Sequence, residues 1–274
     1  MSNSDSSSPA RRPRVLVVAN QKGGVGKTTT AINLGTALAA VGEATLVVDA
    51  DPQGNASTGL GIPRSERKLT TYDVLVGDTA IADAVMPTKI PRLSLVPSTV
   101  DLSGAELELI EIPRRNFRLK DALEQYSVHG QCQVSYVLID CPPSLSLLTV
   151  NAMAAADAVV VPLQCEFFAL EGLSQLLKTV ELVRANLNPT LEIQGIILTM
   201  FDKRNRLSDQ VAADVRANMG DMVYNTIIPR NVRISEAPSH GLPALVYDLR
   251  CPGSQAYIKL AGELIQRERA KVAA

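Results

Sequence analysis

No stretch of this chain approaches the about 18 consecutive apolar residues that a membrane-spanning helix needs. The nearest candidate, around Val150–Leu163, is broken by Asn151 and Asp157. The opening residues, Met1-Ser2-Asn3-Ser4-Asp5-Ser6-Ser7-Ser8-Pro9, lack the apolar core of a signal peptide. Residues 1–12 read instead as a disordered tail, with Arg11, Arg12 and Arg14 at its end. Cysteine is scarce: Cys132, Cys141, Cys165 and Cys251 are widely separated and form no C-x-x-C pair. Idle thiols in a reducing cytosol fit that pattern better than a disulfide framework or a metal cage. His129 and His240 lie far apart, without metal-ligand spacing. Aromatic residues make up 4% of the chain, and no stacking motif, zinc finger or helix-turn-helix pattern is present, which excludes sequence-specific reading of nucleic acid. A net charge of −1 excludes coating nucleic acid by bulk charge. The charge is uneven, however. Residues 1–200 carry 16 Lys/Arg against 20 Asp/Glu, and residues 201–274 carry 11 against 8, so a basic face is expected in the C-terminal third.

Short apolar runs recur along the chain: Val15–Ala19, Leu46–Val48, Leu93–Val96, Val137–Ile139, Val159–Val161, Ile196–Leu198 and Val223–Ile228. Their residues are apolar in succession rather than alternately, as in strands covered on both faces. Helix-length segments separate them. Thr28–Val41 stops at Gly42, Leu170–Leu187 stops at Asn188-Pro189, and Ser208–Met219 and Ser254–Lys271 also read as helices. The predicted fold class is α/β: one doubly wound, mostly parallel sheet with helices on both faces, spanning residues 13–274 as a single domain. Ligands are then expected at the carboxyl ends of the strands.

The first run feeds Lys22-Gly23-Gly24-Val25-Gly26-Lys27-Thr28-Thr29, a glycine-rich loop that opens a helix. Inward-turned backbone N–H groups and the positive helix end make an anion site for a triphosphate. Lys27 would reach the β and γ phosphates and Thr28 would hold Mg²⁺. An ordinary phosphate loop has glycine six positions before that lysine. Here Gln21 stands there, and an extra lysine, Lys22, follows it. Two further runs end in carboxylates, one in Asp49-Ala50-Asp51-Pro52-Gln53 and one in Asp140-Cys141-Pro142-Pro143. All three carboxylates follow an apolar strand, on the edge that carries the phosphate loop.

Lys22–Thr29 resembles the deviant Walker A motif, K-G-G-x-G-K-[ST]-T. Val48–Asn55 resembles the segment that follows it in that family, and Val137–Pro143 resembles the Walker B strand. Leu163–Gly172 and Ile228–Pro238 are similar to the chromosomal ParA/Soj branch in particular, and the resemblance runs from about Pro13 to the C-terminal helix. It implies a P-loop ATPase using ATP and Mg²⁺, with nucleotide held between two protomers of a homodimer. That dimer would bind double-stranded DNA without regard to sequence and be released when a ParB-like centromere-binding protein stimulates hydrolysis, segregating a chromosome or plasmid. A cytoplasmic, nucleoid-associated protein with no membrane partner is expected.

The expected roles follow from phosphoryl transfer, which is mostly positioning and charge stabilisation. Gly23, Gly24, Val25, Gly26, Lys27, Thr28 and Thr29 bind the nucleotide, and Thr28 and Asp140 serve the metal. Asp51 is expected to orient the attacking water, and Asp49 to support Mg²⁺ or the same water. Lys22, by resemblance, crosses to the partner's phosphates. The family also places Pro229, Arg230 and Asn231 at the base, with adenine favoured because no N-K-x-D motif is present. Arg230, Arg233, Lys203, Arg204 and Arg206 are the DNA-binding candidates, on the grounds that a two-fold dimer would double each patch. Rival readings on the same fold are a MinD-like membrane-gradient ATPase, which the polar stretch Leu264–Val272 disfavours, and a metabolic ligase or iron–sulfur reductase.

Overall fold

Alternate residues of the apolar runs enter two separate cores. Val15, Val17, Val48, Ile139 and Val161 pack with Leu102, Leu119, Leu148, Leu173 and Val180. Leu16, Val18, Val47, Leu138 and Val160 pack with Leu34, Leu38, Tyr257, Leu260 and Leu264 on the other side. Each fully buried side chain of this size contributes about 1.5–3 kcal/mol, so strands apolar at every position specify a sheet covered twice.

The computed structural model describes residues 12–128 and 133–273. Among them run β1 (Arg14–Val18), β2 (Thr45–Asp49), β3 (Met86–Pro87), β4 (Leu93–Val96), β5 (Tyr136–Asp140), β6 (Ala158–Gln164) and β7 (Glu192–Thr199). The sheet order is β3-β4-β2-β5-β1-β6-β7, parallel throughout except for the short edge strand β3. The doubly wound expectation holds. The four expected helices are present as Lys27–Ala40, Ala169–Asn186, Arg206–Met219 and Pro252–Ala273. Helices Leu102–Glu108, Arg118–Val128 and Leu147–Ala155 complete the opposite face. Helix Lys27–Ala40 lies close on the sheet at Gly35, where a Cβ would meet Val47 at 3.2 Å and Leu138 at 3.3 Å.

One expected strand is not formed. Among the described residues Val223–Ile228 runs beside β7 with one isolated parallel bridge, Ile196 to Val223, and a second lies just beyond both segments, Phe201 to Pro229. Tyr224 N donates to Ile196 O and Ile228 N to Leu198 O. Between them, the N–H groups of Asn225 and Thr226 turn to the Glu263 carboxylate on the C-terminal helix, at 2.8 and 3.0 Å. A carboxylate distant in sequence interrupts the ladder. Most of the expected N-terminal tail, residues 1–11, lies outside the described residues, as do His129 and Cys132.

Candidate nucleotide site

Three neighbouring strands deliver the site. In β1, β5 and β2, Val18 stands opposite Asp140, and Asp140 stands opposite Asp49. The phosphate loop, Asp140 and the Asp49–Asp51 segment therefore leave the sheet side by side at its carboxyl edge. The strand-end position of Asp49 and Asp140 was readable from the sequence, and their adjacency comes from the crossover order.

The loop is held open from below. Asn20 donates to Pro162 O at 2.8 Å and accepts from Lys22 N at 3.0 Å. Gln21, where an ordinary motif has glycine, donates to Thr179 Oγ1 at 2.8 Å. Thr199, at the end of β7, donates to Val25 O at 2.9 Å. Gly24 and Gly26 have φ of +74° and +91°, a region costly to any residue with a Cβ. Gly26 is the residue from which helix Lys27–Ala40 starts.

The two lysines of the loop face different ways. Lys27 is buried, and its ammonium donates to Lys22 O at 3.0 Å. Burial lowers its pKa, opposed by the acidic neighbours Asp140, Cys141 and Asp51. Lys22 lies at the surface, where its Nζ is 3.0 Å from Glu166 Oε2. Glu166 is held on its other oxygen by Gln164.

The carboxylates differ in what satisfies them. Asp49 is fully buried and accepts from Ser57 Oγ at 2.6 Å, Ser57 N at 2.8 Å and Asp51 N at 3.3 Å. Burial raises its pKa to about 6 against those bonds. Asp51 accepts from Gln53 N at 2.9 Å. Asp140 is fully buried, and neither of its oxygens has a hydrogen-bond partner. Burial holds its pKa well above the ordinary carboxylate value, reinforced by Asp49; the nearby Thr28 hydroxyl favours the charged form without reaching bonding geometry to either oxygen.

Orphaned carboxylate oxygens beside a hydroxyl are a donor set for a divalent cation. Magnesium is usually held through one or two carboxylates plus phosphates rather than by an all-protein cage. Among the described residues no group of three or more His, Cys, Asp or Glu side chains is arranged to hold a metal. Thr28 and Asp140 therefore fit Mg²⁺ that arrives with a triphosphate.

The AAA domain family matches residues 13–193. The chromosome partitioning protein ParA of Caulobacter vibrioides is 66% identical, over 93% of this chain and 95% of that protein. The sporulation initiation inhibitor protein Soj of Bacillus subtilis is 51% identical, over 92% and 98%. The chain belongs to the ParA/Soj family of partitioning ATPases. A structure of cobyrinic acid a,c-diamide synthase from Mycobacterium smegmatis with a bound ATP analog and magnesium superposes with a TM-score of 0.81 at 36% identity, covering 94% of this chain and 97% of that one.

In this ParA/Soj chain the basic candidates form two neighbouring groups. Arg230 N donates to Phe201 O at 2.9 Å, which sets the turn bearing Arg230 and Arg233 beside the loop bearing Lys203, Arg204 and Arg206. All five are exposed. Arg204 is committed to Asp202, with bonds of 3.0 and 2.8 Å that hold the Asp202 pKa at about 2. Arg233 is shared between Glu236 at 3.0 Å and Asp248 at 3.7 Å. Among the described residues Lys203, Arg206 and Arg230 have no ion-pair partner. The Asn231 side chain accepts from Arg233 N and starts helix Val232–Glu236, and Pro229 bridges Phe201. Arg114, Arg115 and Arg118, a second basic run, bond Asp121 and the carbonyls of Ile110, Leu75 and Gly77.

Three residues at the site carried no sequence signal of their own: Ser57, which holds Asp49; Glu166, which holds Lys22; and the buried Arg67. Glu166 acts on a partner 144 residues away, whereas Ser57 and Arg67 act across loop turns whose path no local pattern gives. Cys141, Cys165 and Cys251 are buried and free, with burial pushing the Cys141 thiol well up and the Cys165 thiol to about 11.

Proposed function

We propose that residues 13–274 work as one ATPase unit that binds Mg·ATP, pairs with a second copy across the nucleotide, and in that form binds double-stranded DNA nonspecifically. Hydrolysis, stimulated by a ParB-like centromere-binding protein, returns it to the free monomer. The observation that carries this reading is the divergence of the two lysines: Lys27 turns inward to the carboxylates while Lys22 stands at the mouth, paired to the half-exposed Glu166. A buried cation serves the phosphates of its own subunit. A surface cation beside the same loop can serve those of another, as an arginine finger does elsewhere for about 10³–10⁵ in rate.

In this scheme Lys27 neutralises the β/γ oxygens, and Thr28 and Asp140 would hold Mg²⁺, whose positive charge would supply further neutralisation at the phosphoryl oxygens. Asp51 orients the attacking water, and Asp49 is kept in place by Ser57 to support it. Pro229–Asn231 close on the base. Lys203, Arg206 and Arg230 supply the free DNA contacts, and Arg233 and Arg204 contribute after exchanging their carboxylate partners for phosphate. Sizing in Mg·ATP under conditions that prevent turnover tests the core of this. Wild type should form a dimer and Lys22→Ala should bind ATP as a monomer; a wild type that stays single at high concentration overturns the reading.

The cobyrinic acid synthase likeness favours a second reading, an ATP-dependent amide-forming ligase. It stands at 36% identity against 66% and 51% for the partitioning relatives. ATP turnover that needs a small-molecule carboxylate and ignores DNA would favour it.

A further inference from the structure

The segment carrying Asp49 and Asp51 is suspended from a buried cation that none of the roles above uses. Arg67 is 7% exposed. Its guanidinium donates to Ile62 O at 2.7 Å, Thr58 Oγ1 at 2.9 Å, Ser98 O at 3.0 Å and Gly54 O at 3.3 Å. Among the described residues it has no carboxylate within ion-pair distance. Burying a cation against neutral oxygens is costly, and a planar fork of five donors reaches widely spaced oxygens in one fixed geometry, which the compact ammonium of a lysine matches only in part.

Two of those oxygens lead back to the site. Gly54 closes the turn that begins at Asp51: its N–H donates to Asp51 O at 2.9 Å, and its φ is +63°. A Cβ on Gly54 would stand 2.5 Å from Arg67 Nη1, so the two are in closest contact. Ser98 leads to the other carboxylate. Its N–H donates to Ser57 Oγ at 3.0 Å, and Ser57 Oγ donates to Asp49 Oδ2 at 2.6 Å. One arm thus runs from Arg67 through Gly54 to Asp51, and the other from Arg67 through Ser98 and Ser57 to Asp49.

We propose that Arg67 is a positioning residue for hydrolysis: it clamps both ends of the Asp49–Ser57 segment so that the Asp51 carboxylate is presented in one place. It touches neither nucleotide nor water. This rests on the reading of Asp51 as the residue that orients the attacking water. Misplacement of a reacting group by about 1 Å can cost about 10²-fold in rate, so loosening the clamp should appear in turnover rather than in nucleotide binding.

The test is ATP hydrolysis by the full chain, with kcat and KM determined separately and ATP-dependent dimerisation and melting temperature measured alongside. Arg67→Met should lower kcat by about ten- to a hundredfold, leave KM for ATP within about twofold, and keep the dimer. Arg67→Lys should recover part of the loss. Gly54→Ala, which attacks the same contact from the other side, should also lower kcat, and Arg67→Met/Gly54→Ala should be no slower than Arg67→Met alone, since both break one coupled unit. Wild-type kcat in Arg67→Met with an inactive Asp51→Ala overturns the clamp. So do parallel losses of nucleotide binding, dimer and kcat, or losses that multiply in the double variant. Should Arg67→Met not fold, wild-type kcat in both Arg67→Lys and Gly54→Ala overturns it. Wild-type hydrolysis by Asp51→Ala instead removes the underlying assignment of Asp51.

Discussion

Asp140→Asn removes a charge while leaving the shape of the side chain nearly unchanged, and it should make the nucleotide-free protein more stable. Asp140 is fully buried with both oxygens unpartnered, and burial together with Asp49 raises its pKa well above the ordinary value of 3.8. A carboxyl whose folded pKa is raised contributes most below its unfolded pKa, and that contribution is lost as pH rises through the folded value. The wild-type fold should therefore lose stability from acid toward neutral and alkaline pH at this position. Asparagine, neutral throughout, escapes the loss. Asp49, raised to about 6 by burial, marks the window in which its neighbourhood begins to charge. The relief comes from the charge alone, since the amide is as polar as the neutral acid, and each pH unit between the unfolded and folded pKa is worth about 1.4 kcal/mol. At about 2–4 °C per kcal/mol for a large domain, a relief of about 2 kcal/mol corresponds to about 4–8 °C. The assay is thermal unfolding followed by circular dichroism in EDTA, from pH 5 to pH 8, without nucleotide. The gain should be small at pH 5 and grow toward pH 8, while the stabilisation that Mg·ATP gives the wild type should be largely lost in the variant. A lower melting temperature for Asp140→Asn at pH 8, or a gain independent of pH, refutes the argument.

Other outcomes follow from the same geometry. Lys27→Ala should abolish tight ATP binding, measured by calorimetry, because it removes the buried lysine turned toward Asp140 and Asp51. Gly23→Val should leave ATP binding intact and block the dimer on sizing: a Cβ at Gly23 meets only Pro143, at 4.0 Å, so the monomer accommodates it and the obstruction arises between copies. Glu166→Gln should tighten ATP-dependent dimerisation by about two- to fivefold, the scale of the half-exposed ion pair each protomer would surrender. Unchanged affinity would mean Lys22 is already free in solution. Arg230→Ala should weaken DNA binding in a salt titration more than Arg204→Ala does, since Arg204 is committed to Asp202.

The parts of this molecule written in local pattern were readable without coordinates. β1, β2 and β5 carry unbroken apolar runs, Val15–Val18, Leu46–Val48 and Val137–Ile139, which signal burial on both faces, and the loop or the carboxylates come directly after those runs. Val223–Ile228 is apolar only at its two ends and has another fate, because Glu263 takes the N–H groups of Asn225 and Thr226. Nothing near residue 225 announces that competitor. The pairings of Ser57 with Asp49, Glu166 with Lys22 and Arg67 with Gly54 escaped for a related reason. A polar side chain's partner is chosen by crossover order and loop path, which leave no period in the sequence.

β1 sits near the middle of the sheet, yet both of its neighbours, β5 and β6, come more than a hundred residues later in the chain. The helix that opens from the phosphate loop leans on the C-terminal helix, where Thr30 meets the Tyr257 hydroxyl at 3.3 Å. A ribosome therefore releases the nucleotide motif well before β5, β6 and the helix Pro252–Ala273, which wall it, have emerged. Such distant pairings are slow to form, and a nascent chain of this protein is unable to grip a triphosphate until those elements have followed.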